Sequence, residues 1–154
     1  MSVQYISFMA LRVSDLERSR RFYCEALGFR AISKLCVTGA SPTAREFGLE
    51  SLTTDMIFLE RDGMRIQIGR QDFPEHLALP EPRRQLGYSH LGIRVEDLDS
   101  TLEKIVALGG QVLNRYPNPD YGSEVAGVTD PDGARMELLQ MPGDPTAPIG
   151  EPVP

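Results

Sequence analysis

Apolar residues along this chain recur at two spacings, and each spacing predicts a type of element. Ile6 to Val13 is an apolar run of strand length, followed by Ser14 and Asp15, whose short polar side chains suit the start of a helix. Leu16, Ser19, Phe22, Tyr23, Ala26 and Leu27 then fall three or four residues apart or adjacent, which aligns them in one stripe of a helix, and Gly28 is a fitting stop. Strand-like runs follow near residues 29 to 37, 55 to 60 and 64 to 70. The same succession returns later, with Asp97 as cap, a stripe of Leu98, Leu102, Ile105 and Val106, a Gly109-Gly110 stop, and strands near 110 to 116, 123 to 129 and 135 to 141. Arg61-Asp62-Gly63 and Asp130-Pro131-Asp132-Gly133 supply hairpin turn chemistry before the last strand of each set.

The two successions are also similar residue by residue. Phe8 to Leu16 corresponds to His90 to Leu98 at an offset of 82, Ala26-Leu27-Gly28 to Ala107-Leu108-Gly109 at 81, and Asp62 to Gln67 to Asp132 to Glu137 at 70. Three anchors in the same order indicate an internal duplication. The expectation is an α+β fold of two βαβββ modules, about 5 to 70 and about 88 to 141, within one domain spanning 1 to 141. Residues 38 to 54 are expected to form a long loop and 71 to 87, with Pro74, Pro80 and Pro82, a linker. The segment 142 to 154 has five prolines and is expected to lack regular structure.

Composition narrows the partners. A formal charge of −6 and a pI near 4.9 repel a phosphate backbone, so nucleic acid is not an expected partner. The apolar stretch at the start follows no basic run, and no segment reaches the 18 or so unbroken apolar residues of a membrane span. A cytoplasmic protein with no membrane partner is therefore expected. Cys24 and Cys36 lack metal-knuckle spacing and are expected to be reduced, partly buried packing residues.

The duplicated βαβββ order, with L-x-V-x-D-L opening each helix, L-G closing it and D-P-D-G-x-x-x-E at the last strand, resembles the vicinal oxygen chelate superfamily of glyoxalases, bleomycin-resistance proteins and dioxygenases. The resemblance implies a curled eight-stranded sheet around a cavity, with metal ligands on the first and last strands of each copy. Carried over position by position, it assigns His90 and Glu137 to the ligand places of the second copy. In the first copy those places hold Phe8, which cannot ligate, and Gln67, as in methylmalonyl-CoA epimerase of the same superfamily. Strand alternation puts Phe8, Ala10 and Arg12 on one face, and likewise His90, Gly92 and Arg94. If a cavity forms as in the family, Phe8, Gln67, His90 and Glu137 converge in it.

Two chemistries stay open for that set. An imidazole nitrogen, a carboxylate and an amide oxygen can hold Fe²⁺, Mn²⁺, Co²⁺, Ni²⁺ or Zn²⁺ and leave positions for a chelating substrate. Without metal, His90 and Glu137 are an acid/base pair or ligand anchors, and Phe8 favours an apolar guest. Arg94 and Tyr121 are further candidate substrate contacts, while Arg12, Arg65 and Arg135, the loop acids Glu46 and Glu50, Tyr116 and His76 have surface roles as their simpler reading. The altered first copy argues against ordinary glyoxalase I or extradiol dioxygenase chemistry. The expectation is a glyoxalase-like enzyme of isomerase or lyase type acting on a small oxygenated metabolite, with a homodimeric assembly; the alternative is a binding protein that sequesters an aromatic compound.

Overall fold

The computed structural model describes residues 7–40, 44, 48–74, 90–118 and 123–146. Both βαβββ patterns form. The first comprises β1 (Met9–Arg12), α1 (Leu16–Arg21) continued by a π-helical turn over Phe22–Ala26, β2 (Arg30–Gly39), β3 (Leu52–Arg61) and β4 (Met64–Gln71). The second comprises β5 (Leu91–Arg94), α2 (Leu98–Ala107), β6 (Gln111–Asn118), β7 (Ser123–Thr129) and β8 (Arg135–Gln140). Contacts divide the chain into two compact units, Met1–Tyr88 and Ser89–Pro154.

Each unit holds one mixed sheet, in the orders β1-β4-β3-β2 and β5-β8-β7-β6. The eight strands expected as one curled sheet are thus hydrogen-bonded as two sheets of four, which are not closed into a barrel. Each module pairs its own strands: two antiparallel hairpin ladders and one parallel crossover, β1 with β4 or β5 with β8. Each parallel ladder opens at the first residue of β1 or β5, as Met9↔Ile66 and Leu91↔Met136. Phe8 and His90 therefore stand one residue before the strands on which they were expected.

Helix boundaries follow the capping chemistry. Asp15 accepts from the Arg18 amide at 2.9 Å and Asp97 from the Ser100 amide at 3.0 Å, each taking an N–H that the first helical turn leaves without a partner. At the end of α2, Gly109 (φ 90°) turns left-handed, its N–H reaching the Val106 carbonyl while the Gly110 N–H reaches that of Ile105. That is a Schellman closure, and it explains why two glycines stand there. In the first unit the wider π turn lets the adjacent Phe22 and Tyr23 both be buried, with rings edge-to-face at 5.4 Å. Tyr23 meets Phe29 in the same way at 6.0 Å.

The two cores lie between helix and sheet. Phe22, Tyr23 and Leu27 face Leu59, Ile66 and Ile68; Leu98, Leu102 and Ile105 face Ala126, Val128, Met136 and Leu138. Each large side chain so buried contributes about 1.5–3 kcal/mol. Val106, expected in the α2 stripe, is 56 % exposed, since three positions already span the face turned to the sheet. Cys36 is exposed rather than partly buried, and Cys24 is intermediate. A hydrogen bond to Asp55 pushes the Cys36 thiol up.

The hairpin β2–β3 is longer than its apolar pattern suggests. Pairing continues through Val37↔Thr54 and Gly39↔Leu52, helped by a Thr38–Thr53 hydroxyl contact of 3.1 Å. The loop expected over 38 to 54 is shortened accordingly. Residues 142 to 146, assigned to an irregular tail, contain an ordered turn in which Asp144 accepts from the amide and hydroxyl of Thr146. Residues 75–87 of the expected linker and 147–154 of the tail lie outside the described residues.

Candidate active site on the second sheet

One face of the second sheet is covered by α2, and the other carries the candidate chemistry. Met136 and Leu138 of β8 are buried toward the helix, so Glu137 between them points to the opposite face. His90, two residues before the register partner of Glu137, points to that face as well. Its Nε2 lies 3.5 Å from Glu137 Oε2, with side chains 44 % and 35 % exposed. This is longer than a good hydrogen bond.

Both register partners of Glu137 are glycines, Gly92 on β5 and Gly127 on β7. Nothing lies within 4 Å of the place a Cβ on Gly92 would occupy. At Gly127 that place is taken by the carboxamide of Asn114, whose Oδ1 lies 2.8 Å from it and accepts from the Gly127 N–H at 2.9 Å. Asn114 and Gly127 were not singled out in the sequence. The available signal was an isolated glycine in a strand pattern, which marks a bulge or a close approach. Here β6 indeed changes register between Val112 and Asn114.

Two donors bound to one ion at roughly 2.0–2.2 Å with tetrahedral angles stand about 3.4 Å apart. The His90–Glu137 separation fits two adjoining positions of a divalent ion. Among the described residues, no cluster of three or more His, Cys, Asp or Glu side chains completes such a site.

The first sheet presents different chemistry on the corresponding face. Phe8, 45 % exposed, packs edge-to-face on Phe58 at 5.3 Å, and Phe58 is the register partner of Gln67. The Gln67 amide lies along the strand over Gly69, 3.4 Å from where a Cβ there would be. Arg65 bonds Glu60 across the hairpin at 2.7 Å and holds its carboxyl below the usual range. Arg12 donates to Gln71 at 3.1 Å and lies over the Phe73 ring at 5.0 Å.

Arg94 donates to the Met141 and Pro142 carbonyls, both at 3.3 Å, and so ties the segment after β8 to β5. Arg135, Tyr116 and Glu50 are exposed. Tyr121, Glu46 and His76 lie outside the described residues.

Comparison with known proteins agrees with this fold. The Glyoxalase/Bleomycin resistance protein/Dioxygenase superfamily pattern matches residues 5–138. A probable lactoylglutathione lyase of Synechocystis is 32 % identical over 132 residues, covering 84 % of this chain and 90 % of that one. A probable lactoylglutathione lyase of Vibrio cholerae is 30 % identical over 142 residues, covering 91 % and 93 %. A glyoxalase family protein from Bacillus cereus shares the fold with a TM-score of 0.75 at 17 % identity, covering 93 % of this chain and 97 % of that one. The chain belongs to the Glyoxalase/Bleomycin resistance protein/Dioxygenase superfamily.

Proposed function

We propose that this chain is a glyoxalase-like enzyme of isomerase or lyase type, which moves a proton on a small oxygenated, partly apolar metabolite through His90 and Glu137. The observation that carries the reading is the 3.5 Å approach of an imidazole and a carboxylate on an open sheet face, with glycines on both sides of the carboxylate. A carboxylate so placed can take a proton from carbon next to a carbonyl, and the imidazole can donate to the oxygen that gains charge. The similarity to lyases named for lactoylglutathione supports a thioester or 2-hydroxycarbonyl substrate. With His90 as a ligand instead of a proton donor, a divalent ion such as Fe, Mn, Co, Ni or Zn, held by His90 Nε2 and Glu137 Oε2, would itself supply Lewis-acid polarisation of that substrate oxygen. Substrate contacts at Phe8, Gln67, Arg94 and Tyr121, a donor role for Gln67, a cytoplasmic location and a homodimer are carried into the proposal from the sequence and the family pattern.

The test is solvent deuterium incorporation at the lactoyl C2 of S-lactoylglutathione and of simpler 2-hydroxy thioesters, with chelator-stripped protein and after addition of each metal. Glu137→Gln is expected to slow exchange by roughly 10²-fold or more while leaving the fold intact. Exchange unaffected by this substitution would overturn the reading. One observation favours a second reading, sequestration of an aromatic compound: the exposed Phe8, stacked edge-to-face on the half-buried Phe58, at the place where the family has a ligand. Stoichiometric binding of aromatic compounds by a protein that takes up no metal and exchanges no proton would establish it.

A further inference from the structure

β2 is the terminal strand of the first sheet, and the ladders fix which of its backbone groups face outward. The Asp72 N–H donates to the Thr53 carbonyl at 3.0 Å, so Thr53 directs its backbone groups toward β4. By alternation Leu52, Thr54, Met56 and Phe58 direct theirs toward β2, where Gly39, Val37, Leu35 and Ser33 are their register partners. The N–H and C=O groups of Lys34, Cys36 and Thr38 therefore face away from the sheet. Among the described residues no strand lies beyond them.

Side chains of the same segment sort by face. Lys34, Cys36 and Thr38 stand with Ile57, Asp55 and Thr53 on the side that carries α1. Leu35 and Val37, both exposed, stand with Met56 and Thr54 on the other. A register shift between Ala31 and Ser33 limits regular pairing to the stretch from Ser33 to Gly39, whose midpoint is Cys36. The corresponding edge of the second sheet, β6, lacks a donor at Pro117, and its Arg115 is held by Glu124 and Asp99.

We propose that β2 is a docking edge for a second copy of this chain, paired antiparallel about a two-fold axis through Cys36. This register sets Lys34 opposite Thr38 of the second copy and Cys36 opposite its own counterpart, so all three outward residues of each strand exchange both backbone bonds. On the other face Leu35 meets Val37 of the second copy, twice by symmetry, which takes from water the apolar side chains that a lone β2 leaves exposed. Charge agrees with the register. Lys34 lies one diagonal step from Cys36 of the second copy, whose thiol is bonded to Asp55, so an ammonium approaches a carboxylate. A register centred on Lys34 opposes two ammonium groups, and one centred on Thr38 runs past the end of the strand. The inference specifies the proposed homodimer and is independent of the reaction at His90 and Glu137.

Reciprocal charge substitutions in the full chain test it. Wild type is expected to sediment at twice the chain mass. Leu35→Asp and Val37→Lys are each expected to weaken the dimer about tenfold or more, since each sets a charge against an apolar side chain at two symmetric places. An equimolar mixture of the two variants is expected to re-form a dimer, because the new carboxylate of one chain lies opposite the new ammonium of the other. A short bismaleimide should link two chains in wild type and in Cys24→Ser but not in Cys36→Ser. If a variant loses the circular dichroism of its sheet, this cross-link decides alone. A wild type that sediments as a monomer overturns both the homodimer and the β2 joint. A wild-type dimer that neither substitution weakens, a mixture of folded variants that stays monomeric, or a dimer not linked through Cys36 overturns the joint alone.

Discussion

Residue identity decides the chemistry here at a few positions where backbone and side chain compete for the same space. Asp130 is an example outside the candidate site: it is 1 % exposed, and its Oδ1 accepts from the amides of Asp132 at 2.9 Å and Ala134 at 2.8 Å. Gly133 (φ 91°) completes that turn and delivers the chain into β8, seven residues beyond Asp130 at Glu137. Asp130→Ala strands two part-buried N–H groups and is expected to destabilise by about 2–4 kcal/mol, whereas Asp130→Asn keeps an acceptor and should cost less. Urea unfolding of the two variants measures the difference, and equal midpoints would show that the amides find other partners. The Asp-Pro-Asp-Gly turn was legible from sequence because each of its residues has a local conformational preference. That Asn114 lies across Gly127 was not, since it joins residues on two strands and depends on a register shift in β6.

Elements are held to one another by both apolar and ionic contacts, and the ionic ones set a pH dependence. Arg115 of β6 bonds Glu124 of β7 at 2.6 Å and also reaches Asp99 of α2. The hydrogen bond from Arg115 holds the Glu124 carboxyl below its ordinary value of 4.5. A folded value below the unfolded one means that the pair stabilises the fold above about pH 4.5 and that this contribution is lost as pH falls through the folded value. Glu124→Gln should therefore flatten the acid side of the stability curve. The expected effect is modest, because the group is exposed and screened. Urea midpoints taken at neutral pH and below the carboxylate range test this, and a wild type and variant that lose stability in parallel on acidification would refute it. Strands and helices were readable from periodicity wherever one face is buried, as in β4, β8 and α2. The extra length of β2 and β3 was not, because its residues, such as Thr38, Thr53 and Thr54, are held by cross-strand pairing more than by burial.

For the whole molecule, the expected homodimer has a physical basis in the edges each sheet leaves. β2 is a ten-residue edge strand on which Leu35 and Val37 are 50 % and 38 % exposed, and β6 exposes Val112, Leu113 and Tyr116. Long edges with exposed apolar side chains tend to be covered by another chain. Sedimentation at micromolar concentration is expected to give twice the chain mass of 17.1 kDa, and a monomer would refute the expectation. The sequence by itself determined the duplicated βαβββ plan, the helix caps, the turns and the place of His90 and Glu137 in register, because these follow from local preferences and from spacing along one strand. Only the tertiary structure decided that the strands pair as two sheets of four, that both neighbours of Glu137 are glycines, and that the Asn114 carboxamide lies over Gly127. Those features depend on which residues of different strands lie opposite one another, and that is set by hydrogen-bond register and bulges rather than by the order of residues along the chain.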